Sequence, residues 1–279
     1  MSTQVRVIDR LKELGLSNRQ AKEALRTGKV FLGGCPTGDP IRIVSVDELV
    51  YRPNAPRVRP DTDPAVISLD ENVVVAAKPS GMLSVPAPKR KETSVLETLA
   101  AKFGKLFVVH RLDEGTSGLM MFARNERSQK ALKDALFVHD VERRYHAVVH
   151  GGFPEESKTV TSSLVRNRGD GLRGSQSGDG GKEAVTHLRL LEKLGRRASL
   201  VEATLETGRT HQVRIHLAEQ GFPVLGDRLY GENRAARMRL ALHSSVLGFT
   251  HPSTGQPVRF EAPHADSFER ICQQVRNRG

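Results

Sequence analysis

A polar turn between two apolar runs is the feature that most restricts how this chain folds. Residues 106–109 and 119–123 each have the length and composition of a buried strand. Between them lie Arg111, Asp113 and two glycines, which permit backbone angles that other residues avoid. Because loops on rigid elements carry function disproportionately, Asp113 is a candidate for chemistry. A simpler interpretation is an ordinary hairpin turn in which Asp113 caps its own backbone.

Length and composition indicate one large domain and a small one. The chain has 279 residues, of which 38% are hydrophobic, and no apolar run approaches the length of a membrane span. Residues 1–10 lack the apolar segment of a signal peptide, so we expect a cytoplasmic protein, and a monomer. Two cysteines, Cys35 and Cys272, are too few for a disulfide framework or a cysteine zinc site, which predicts free thiols.

The charge balance is an argument about partners. A net charge of +11 and a pI near 10 favour binding to phosphate backbones, although many solvated proteins are simply basic. Aromatic residues make up only 5% of the chain and Trp is absent. Extended platforms for base stacking are therefore not expected, and RNA binding would depend on Arg and Lys.

Residues 1–52 have the pattern of a separate module. Apolar residues from Val7 to Leu14 recur at helical spacing, and Gly15 provides a C-terminal cap. Ser17 and Gln20 form a capping-box pattern that opens a second helix. Short strands are expected at residues 29–32, 41–46 and 49–51, and the proline-rich residues 53–64 predict a linker.

Three cations of the second predicted helix share one face. Arg19, Lys22 and Arg26 are spaced three and four residues apart, which suits an RNA-binding surface. A solvated helix face is the simpler interpretation of such a run. Two helices with a small sheet also resemble the S-four-type (alpha-L) RNA-binding module of ribosomal proteins.

Strands outnumber helices from residue 65 to residue 279. They do not alternate regularly with helices, so we expect an α+β domain with a mixed, largely antiparallel sheet. The Gly-, Arg- and Ser-rich residues 167–181 are expected to form a loop, either flexible filler or a segment that orders on RNA. Strands are predicted at 72–77, 143–149, 187–191, 198–204, 240–247 and 257–260, and helices at 94–103, 126–139 and 210–220.

The polar turn resembles the signature of a known enzyme family. The run HRLDEGTSGLMMFARN, residues 110–125, is similar to the HRLD-x-x-T-S-G motif of RluA-type pseudouridine synthases, which an apolar strand follows. Further segments match in the same order, so the resemblance covers about residues 65–263. They are KPSG at 78–81, RYHAVV at 144–149, TGRTHQVRIH at 207–216, and residues 223–227, 242–243 and 250–252.

The resemblance implies an isomerase that converts uridine to pseudouridine in rRNA or tRNA. Asp113 would act as nucleophile or as base toward the sugar. A carboxylate buried beside a base pocket resists ionisation unless a cation is near, and the family motif matched by Arg214 supplies that cation. Tyr145 stands where the family has a tyrosine that stacks on the base. Without the resemblance, Arg214 is a surface helix arginine and Tyr145 a half-buried strand aromatic.

Other residues of the matched motifs are expected to contact the substrate. Arg111 corresponds to an arginine near the displaced nucleotide, because a base inside a helix must be flipped out. Leu217 is expected to pack under the base or to belong to the core. Lys78, Arg209 and His211 complete the expected substrate-binding set.

The family reaction implies no cofactor and no metal, because it is an isomerisation without net redox change or hydrolysis. The histidine spacings also show no zinc motif. A non-catalytic RNA-binding or ribosome-assembly protein on the same fold is the alternative function, and Asp113 discriminates the two. Substrate choice is expected to depend on residues 86–92, residues 167–181 and the N-terminal module.

Overall fold

The N-terminal residues fold around a small core of their own. The computed structural model describes residues 4–55, 59, 61–154, 157–176, 180–231 and 238–277. Val7, Leu11 and Leu25 are at the centre of this first core, which shares no residue with those that follow. Its elements are β1 (Gln4–Arg6), α1 (Val7–Glu13), α2 (Asn18–Arg26), β2 (Val30–Leu32), β3 (Cys35–Pro36), β4 (Ile43–Ser45), a 3-10 turn (Val46–Glu48) and β5 (Leu49–Tyr51).

The ends of the two N-terminal helices follow the predicted signals. The Ser17 hydroxyl accepts from the N–H of Gln20, and the Gln20 side chain accepts from the N–H of Ser17, so the predicted capping box is confirmed. After α1, Gly15 adopts a φ of 88°, the left-handed geometry of a helix C-terminus. β1 pairs with β4, and the second small sheet has the order β3-β2-β5.

A large sheet organises the rest of the chain. Its order is β12-β11-β13-β14-β10-β15-β9-β7-β6, with β16 beside β15 and β8 beside β9. The pairs are antiparallel except for β9 with β15, so the predicted α+β class with a mixed sheet is confirmed. The elements are β6 (Ala65–Leu69), β7 (Val73–Lys78), α3 (Val95–Phe103), β8 (Phe107–Val108), β9 (Ser117–Ala123), α4 (Glu126–Phe137), β10 (Val141–His150), β11 (Lys158–Val165), β12 (Gly174–Ser175), β13 (Lys182–Leu194), β14 (Ala198–Leu205), α5 (Gln212–Glu219), β15 (Leu242–Thr250), β16 (Pro257–Glu261) and α6 (Asp266–Arg276).

Alternate residues of the central strands enter different cores. On β9, Met120 and Phe122 join the larger core with α3, α5 and α6, whereas Leu119 and Met121 join a smaller core with Leu132 of α4. Side chains alternate between the faces of a sheet, so the two cores cover opposite faces. The polar turn that contains Asp113 is therefore anchored by a strand that is buried on both sides.

Several elements differ from the sequence prediction. The predicted helix at 210–220 begins only at Gln212, because His211 has a left-handed φ of 63° that helical backbone does not continue through. β11 was not predicted, since its Thr- and Ser-rich run lacks a clear apolar alternation. α6 was missed as well: Ala265 at its N-cap makes no side-chain cap, and its first residue, Asp266, is used elsewhere.

Asp266 fastens the N-terminal module to the large domain. Its buried carboxylate accepts from the Thr37 hydroxyl at 2.7 Å, from the N–H of Gly38 at 2.6 Å and from Nη1 of Arg42 at 2.9 Å. Arg42 also donates to the carbonyl of His264 at 2.8 Å. These bonds give the module a defined position beside β6 and α6.

Two of the predicted irregular segments are only partly described. In the predicted linker, residues 56–58 and 60 lie outside the described residues, as do residues 177–179 of the predicted loop at 167–181. The described part of that loop contains β12, which pairs with β11. Cys35 and Cys272 are free thiols, as predicted. None of the helices in the described ranges is long and apolar enough to cross a membrane.

Candidate active site

Asp113 lies in the loop between β8 and β9, which hydrogen bonds hold in place. The Ser84 hydroxyl accepts from the N–H of Leu112 at 3.0 Å and donates to its carbonyl at 2.7 Å. The Asp113 carboxylate accepts from Arg214, and within the described residues it accepts from no N–H of its own turn. The interpretation of Asp113 as a simple turn cap is therefore wrong.

Gly118 allows β9 to approach β15 closely behind this loop. Its φ is 106°, and a Cβ at this position would collide with the backbone of Ser244. A glycine is thus required where the two parallel strands meet. Gly115, the other glycine of the turn, does not have a positive φ, and a Cβ there would lie 3.0 Å from the side chain of Leu240.

Arg214 of α5 lies between two carboxylates. Its Nε and Nη2 donate to the two carboxylate oxygens of Asp227 at 2.7 and 2.8 Å, and its Nη1 donates to Asp113 at 3.0 Å. The side chain of Asp227 is 0% exposed, that of Arg214 is 9% exposed and that of Asp113 is 22% exposed. A guanidinium held on both Asp227 oxygens presents its third nitrogen to Asp113 in a fixed direction.

Asp227 remains ionised although it is buried. Burial by itself would raise the pKa of this carboxyl, but the hydrogen bonds and charge of Arg214 hold that pKa below its usual range. The N–H groups of Leu229 and Tyr230 add further hydrogen bonds at 2.9 and 3.1 Å. The sequence analysis did not assign Asp227 a role, although the matched segment 223–227 contains it.

Tyr145 of β10 faces the same cavity as Asp113. Its side chain is almost completely buried, and burial raises the pKa of its phenol, so the ring presents a neutral hydroxyl at pH 7. The cavity has a volume of about 290 Å³, near the lower limit for a small-molecule site. Its wall contains Val109, His110, Arg111, Leu112, Asp113, Thr116, Arg143, Tyr145, Leu205, Gly208, Arg209, Thr210, His211, Gln212, Val213, Arg214 and Leu242.

Arg143 is a cation of this wall that the sequence analysis missed. It is 7% exposed and lies two residues before Tyr145 on the same face of β10. Its Nη2 donates to the carbonyl of Glu206 at 2.7 Å, whereas its buried Nε has no hydrogen-bond partner in the described residues. The absence of a side chain at Gly208 makes room for the guanidinium. The i, i+2 spacing from Tyr145 was the signal that could have identified it.

Three expected substrate-binding residues line the cavity. Arg111 is exposed at its mouth. Arg209 donates from Nε to the carbonyl of Glu183 at 2.8 Å. His211 shares a hydrogen bond of 2.9 Å with the Tyr230 hydroxyl, and its Nε2 lies 3.8 Å from Asp113; burial lowers its pKa, which favours the neutral ring.

Leu217 and Lys78 do not line the cavity, which contradicts their expected contact with substrate. Leu217 is 0% exposed within the larger core and is absent from the cavity wall, because it projects from α5 away from the cavity. Lys78 is buried, and its Nζ donates to the backbone carbonyls of Pro79, Met82 and Glu114 at 3.0, 2.5 and 2.8 Å. It ties the turn after β7 to the residue that follows Asp113.

The predicted RNA-binding cations of α2 are all exposed. Arg26 is paired with Glu23 on the same helix face, at 2.6 Å, which reduces the net charge of that face. No metal motif was found in the sequence, yet the fold brings His264, Glu269 and Cys272 together with possible ligand atoms within 4.8 Å of one another. None of these three residues lines the cavity around Asp113.

Known proteins are similar in sequence to this chain over most of its length. The family model for RNA pseudouridylate synthases matches residues 72–219. An uncharacterized RNA pseudouridine synthase of Bacillus subtilis, YlyB, is 35% identical over 277 residues, covering 94% of this chain and 91% of the relative. The ribosomal large subunit pseudouridine synthase D of Xylella fastidiosa is 36% identical over 282 residues, covering 92% and 83%.

Solved structures share the fold. Human RNA pseudouridylate synthase domain containing 1 superposes with a TM-score of 0.63 at 23% identity, covering 77% of this chain and 96% of that one. Human RNA pseudouridylate synthase domain containing 4 gives a TM-score of 0.64 at 22% identity, covering 76% and 92%.

Proposed function

The chain belongs to the RNA pseudouridylate synthase family and is an RNA pseudouridine synthase, and within this activity we propose that Asp113 is the catalytic carboxylate. The observation that carries the proposal is the bond from Arg214 to Asp113 at the wall of a cavity that Tyr145 also lines. Arg214 orients the carboxylate of Asp113, and Asp227 in turn orients Arg214.

The carboxylate of Asp113 has two ways to act on the target uridine. As a nucleophile it attacks C1′ of the ribose, and the bond from C1′ to N1 breaks. As a base it removes the C2′ proton, the same bond breaks, and the proton later returns. In both routes the uracil rotates and C5 bonds to C1′, and in the first route the ester bond from Asp113 to C1′ breaks at this step and frees the carboxylate. C5 then loses its proton, and N1 gains one. Deuterium at C2′ would slow only the second route.

The other residues of the wall position the base. Tyr145 stacks on the uracil with its ring and lies ready to assist proton removal from C5. Arg111, exposed at the mouth, occupies the space that the flipped nucleotide leaves in its helix. Arg209 and His211 contact the sugar and phosphate of the target nucleotide.

The substrate we propose is rRNA or tRNA. The relatives named ribosomal large subunit pseudouridine synthase D favour large-subunit rRNA among these. Residues 1–52 serve as an S-four-like RNA-binding module with Arg19, Lys22 and Arg26 on the exposed face of α2, residues 53–64 as linker, and residues 65–279 as catalytic domain. The protein acts in the cytoplasm as a monomer, without cofactor or metal.

Tritium release from 5-tritiated uridine in total cellular RNA tests the role of Asp113. We expect Asp113→Asn to abolish release while its affinity for RNA changes less than about 3-fold. Glu114→Gln is the matched control, because it neutralises an exposed carboxylate next to Asp113 in the chain. The backbone carbonyl of residue 114 still accepts from Lys78 in this variant. Release by Asp113→Asn at the wild-type rate would refute the assignment, and an inactive wild type that binds RNA would favour a non-catalytic function.

A further inference from the structure

A second cavity adjoins the cavity that contains Asp113. It has a volume of about 500 Å³, and Gly208, Arg209 and Thr210 line both cavities. The second cavity lies at the edge of the sheet, between the ends of β11, β12 and β13. A chain that occupied both cavities would pass directly over residues 208–210.

The wall of the second cavity is strongly basic. Arg166, Arg173, Lys182 and Arg209 contribute four cations, and no acidic residue is among its described lining residues. Strand pairing brings them together: Val165 lies opposite Gly174, and Leu164 lies opposite Lys182. Like charges at adjacent positions destabilise a sheet unless an anion lies between them.

These cations are not used to hold the protein together. Arg166, Arg173 and Lys182 make no ion pair and no side-chain hydrogen bond within the described part of the chain, although Arg168 nearby is paired with Asp170 at 2.9 Å. Charged side chains are ordinarily found at solvated surfaces, but solvation alone does not require that four cations surround one cavity. Among the described residues of the cavity wall, none has an aromatic side chain on which a base could stack.

The opposite side of the active-site cavity has a different character. A third cavity of about 510 Å³ shares Arg111 and Asp113 with it and is lined by the segment 83–88, which includes Val85, Pro86 and Pro88. The cavity around Asp113 therefore adjoins one cavity lined by a proline-containing segment, with charges of both signs, and a second cavity whose charged lining residues are all basic. A bound strand would meet different surfaces before and after the target nucleotide.

We propose that the cavity formed by Arg166, Arg173, Lys182 and Arg209 binds the phosphodiester groups of the nucleotides that adjoin the target uridine on one side. This inference rests on the proposed function, because it takes the substrate to be RNA that enters the cavity of Asp113. Free guanidinium and ammonium groups bind phosphate oxygens without reading sequence. The cavity thus fixes the register of the strand, and the rest of the protein selects the uridine.

The salt dependence of binding measures this contribution. The test variant is Arg166→Gln/Arg173→Gln/Lys182→Gln, and the probe is a fluorescein-labelled single-stranded RNA of 12 nucleotides with one uridine. Log affinity falls as log salt concentration rises. Each lost phosphate contact makes this slope shallower by about 0.7, so three lost contacts make it shallower by about 2. Between 50 and 200 mM salt, the wild type should lose about 20-fold more affinity than the variant.

Two controls separate position from net charge. Arg127→Gln/Lys130→Gln/Lys133→Gln removes three exposed cations from α4, which packs against the opposite face of the sheet, and should leave the slope nearly unchanged. Arg166→Lys/Arg173→Lys/Lys182→Arg keeps the charges of the cavity and should retain the wild-type slope. Equal slopes for the two triple-Gln variants would overturn the proposal.

Tritium release distinguishes this proposal from the proposed function. With total cellular RNA, the cavity variant should need about 10-fold more RNA for half-maximal release, while its rate at saturating RNA stays within about 3-fold of wild type. If the wild type releases no tritium, the proposed function fails, and the salt slopes still decide whether the cavity binds phosphate. If the wild type is active and the cavity variant has an unchanged RNA requirement, only the present inference fails.

Discussion

Arg214 donates to both carboxylate oxygens of Asp227, at 2.7 and 2.8 Å, so the arginine that contacts Asp113 is held by a residue that does not itself line the cavity. In the proposed mechanism, Asp227 is a positioning residue whose effect on turnover passes through Arg214. The fully buried carboxylate of Asp227 lies beside a guanidinium that also contacts the carboxylate of Asp113.

Asp227→Asn should lower the rate of tritium release at saturating RNA by about 100-fold, with RNA affinity nearly unchanged. An amide cannot offer two anionic oxygens, so Arg214 loses its fixed direction toward Asp113. Removing one partner of a buried ion pair should also cost about 3 kcal/mol of unfolding free energy in urea. Asp170→Asn, which breaks an exposed ion pair, is the control. A variant with lowered stability but unchanged rate would show that Asp227 is structural only.

Tyr145→Phe should keep the affinity for RNA within about 3-fold and slow tritium release by about 100-fold if the hydroxyl takes part in proton transfer from C5. The ring of Phe still fills the buried position on β10. Tyr145→Leu removes the ring as well and should weaken RNA binding in addition. Equal rates for wild type and Tyr145→Phe would limit Tyr145 to stacking.

The stability of the protein should fall in mild acid because His110 is held neutral. Burial lowers the pKa of His110 to about 4, and its Nε2 accepts from the N–H of Met121 at 3.0 Å, which the protonated ring cannot do. The unfolded chain binds this proton near pH 6.5, so the contribution is fully present above that pH and is lost as the pH falls toward 4.

Urea unfolding at pH 7 and at pH 4.5 measures this effect. The wild type should lose about 2 kcal/mol more than His110→Gln, whose amide oxygen can accept from Met121 but does not titrate. Carboxylates titrate alike in both proteins and cancel in the comparison. An equal loss in both proteins would mean that His110 is not the acid-sensitive group.

Gly118→Ala should destabilise the protein by more than about 4 kcal/mol, or prevent folding, because the new methyl group would collide with the backbone of Ser244. Gly104→Ala is the matched control. Gly104 also has a positive φ, at 80°, but its Cβ would meet no atom within 4 Å, so backbone strain alone should cost about 1–3 kcal/mol. Thermal unfolding of both variants gives the comparison, and similar costs would contradict the close approach of β9 and β15.

Asp266→Asn should loosen the N-terminal module. The amide cannot accept from Thr37, Gly38 and Arg42 together, so trypsin should cleave after Arg57, which Val58 follows, at least 10-fold faster than in wild type. Asp47→Asn, an exposed change within the module, should leave the cleavage rate unchanged. If both variants resist trypsin equally, other contacts hold the module in place.

The motifs with local physical signatures could be predicted from the sequence. The capping box of Ser17 and Gln20 and the apolar runs around Asp113 depend on neighbours in the chain, and the structure has them as expected. β11 and α6 could not be predicted, because their polar residues are stabilised only by contacts with partners far away in the sequence. Asp266, whose partner Thr37 is 229 positions away, is the clearest example.

The site was predictable where a motif existed and not where geometry alone decided. Asp113, Arg214 and Tyr145, which the resemblance implied as site residues, all line one cavity, and Arg214 contacts Asp113 directly. The resemblance could not indicate that the ammonium group of Lys78 donates to three backbone carbonyls, or that Leu217 projects into the core. Both outcomes depend on side-chain direction, which sequence spacing does not determine.

The contact between Asp266 and the N-terminal module has a consequence for synthesis of the protein. The module is made early and has a core of its own, but the carboxylate that orients it is made more than 200 residues later. A nascent chain can therefore present a folded module before it has a catalytic domain to which that module is fixed. The module can take its final orientation relative to the rest of the protein only after α6, which begins with Asp266, has been synthesised and has packed.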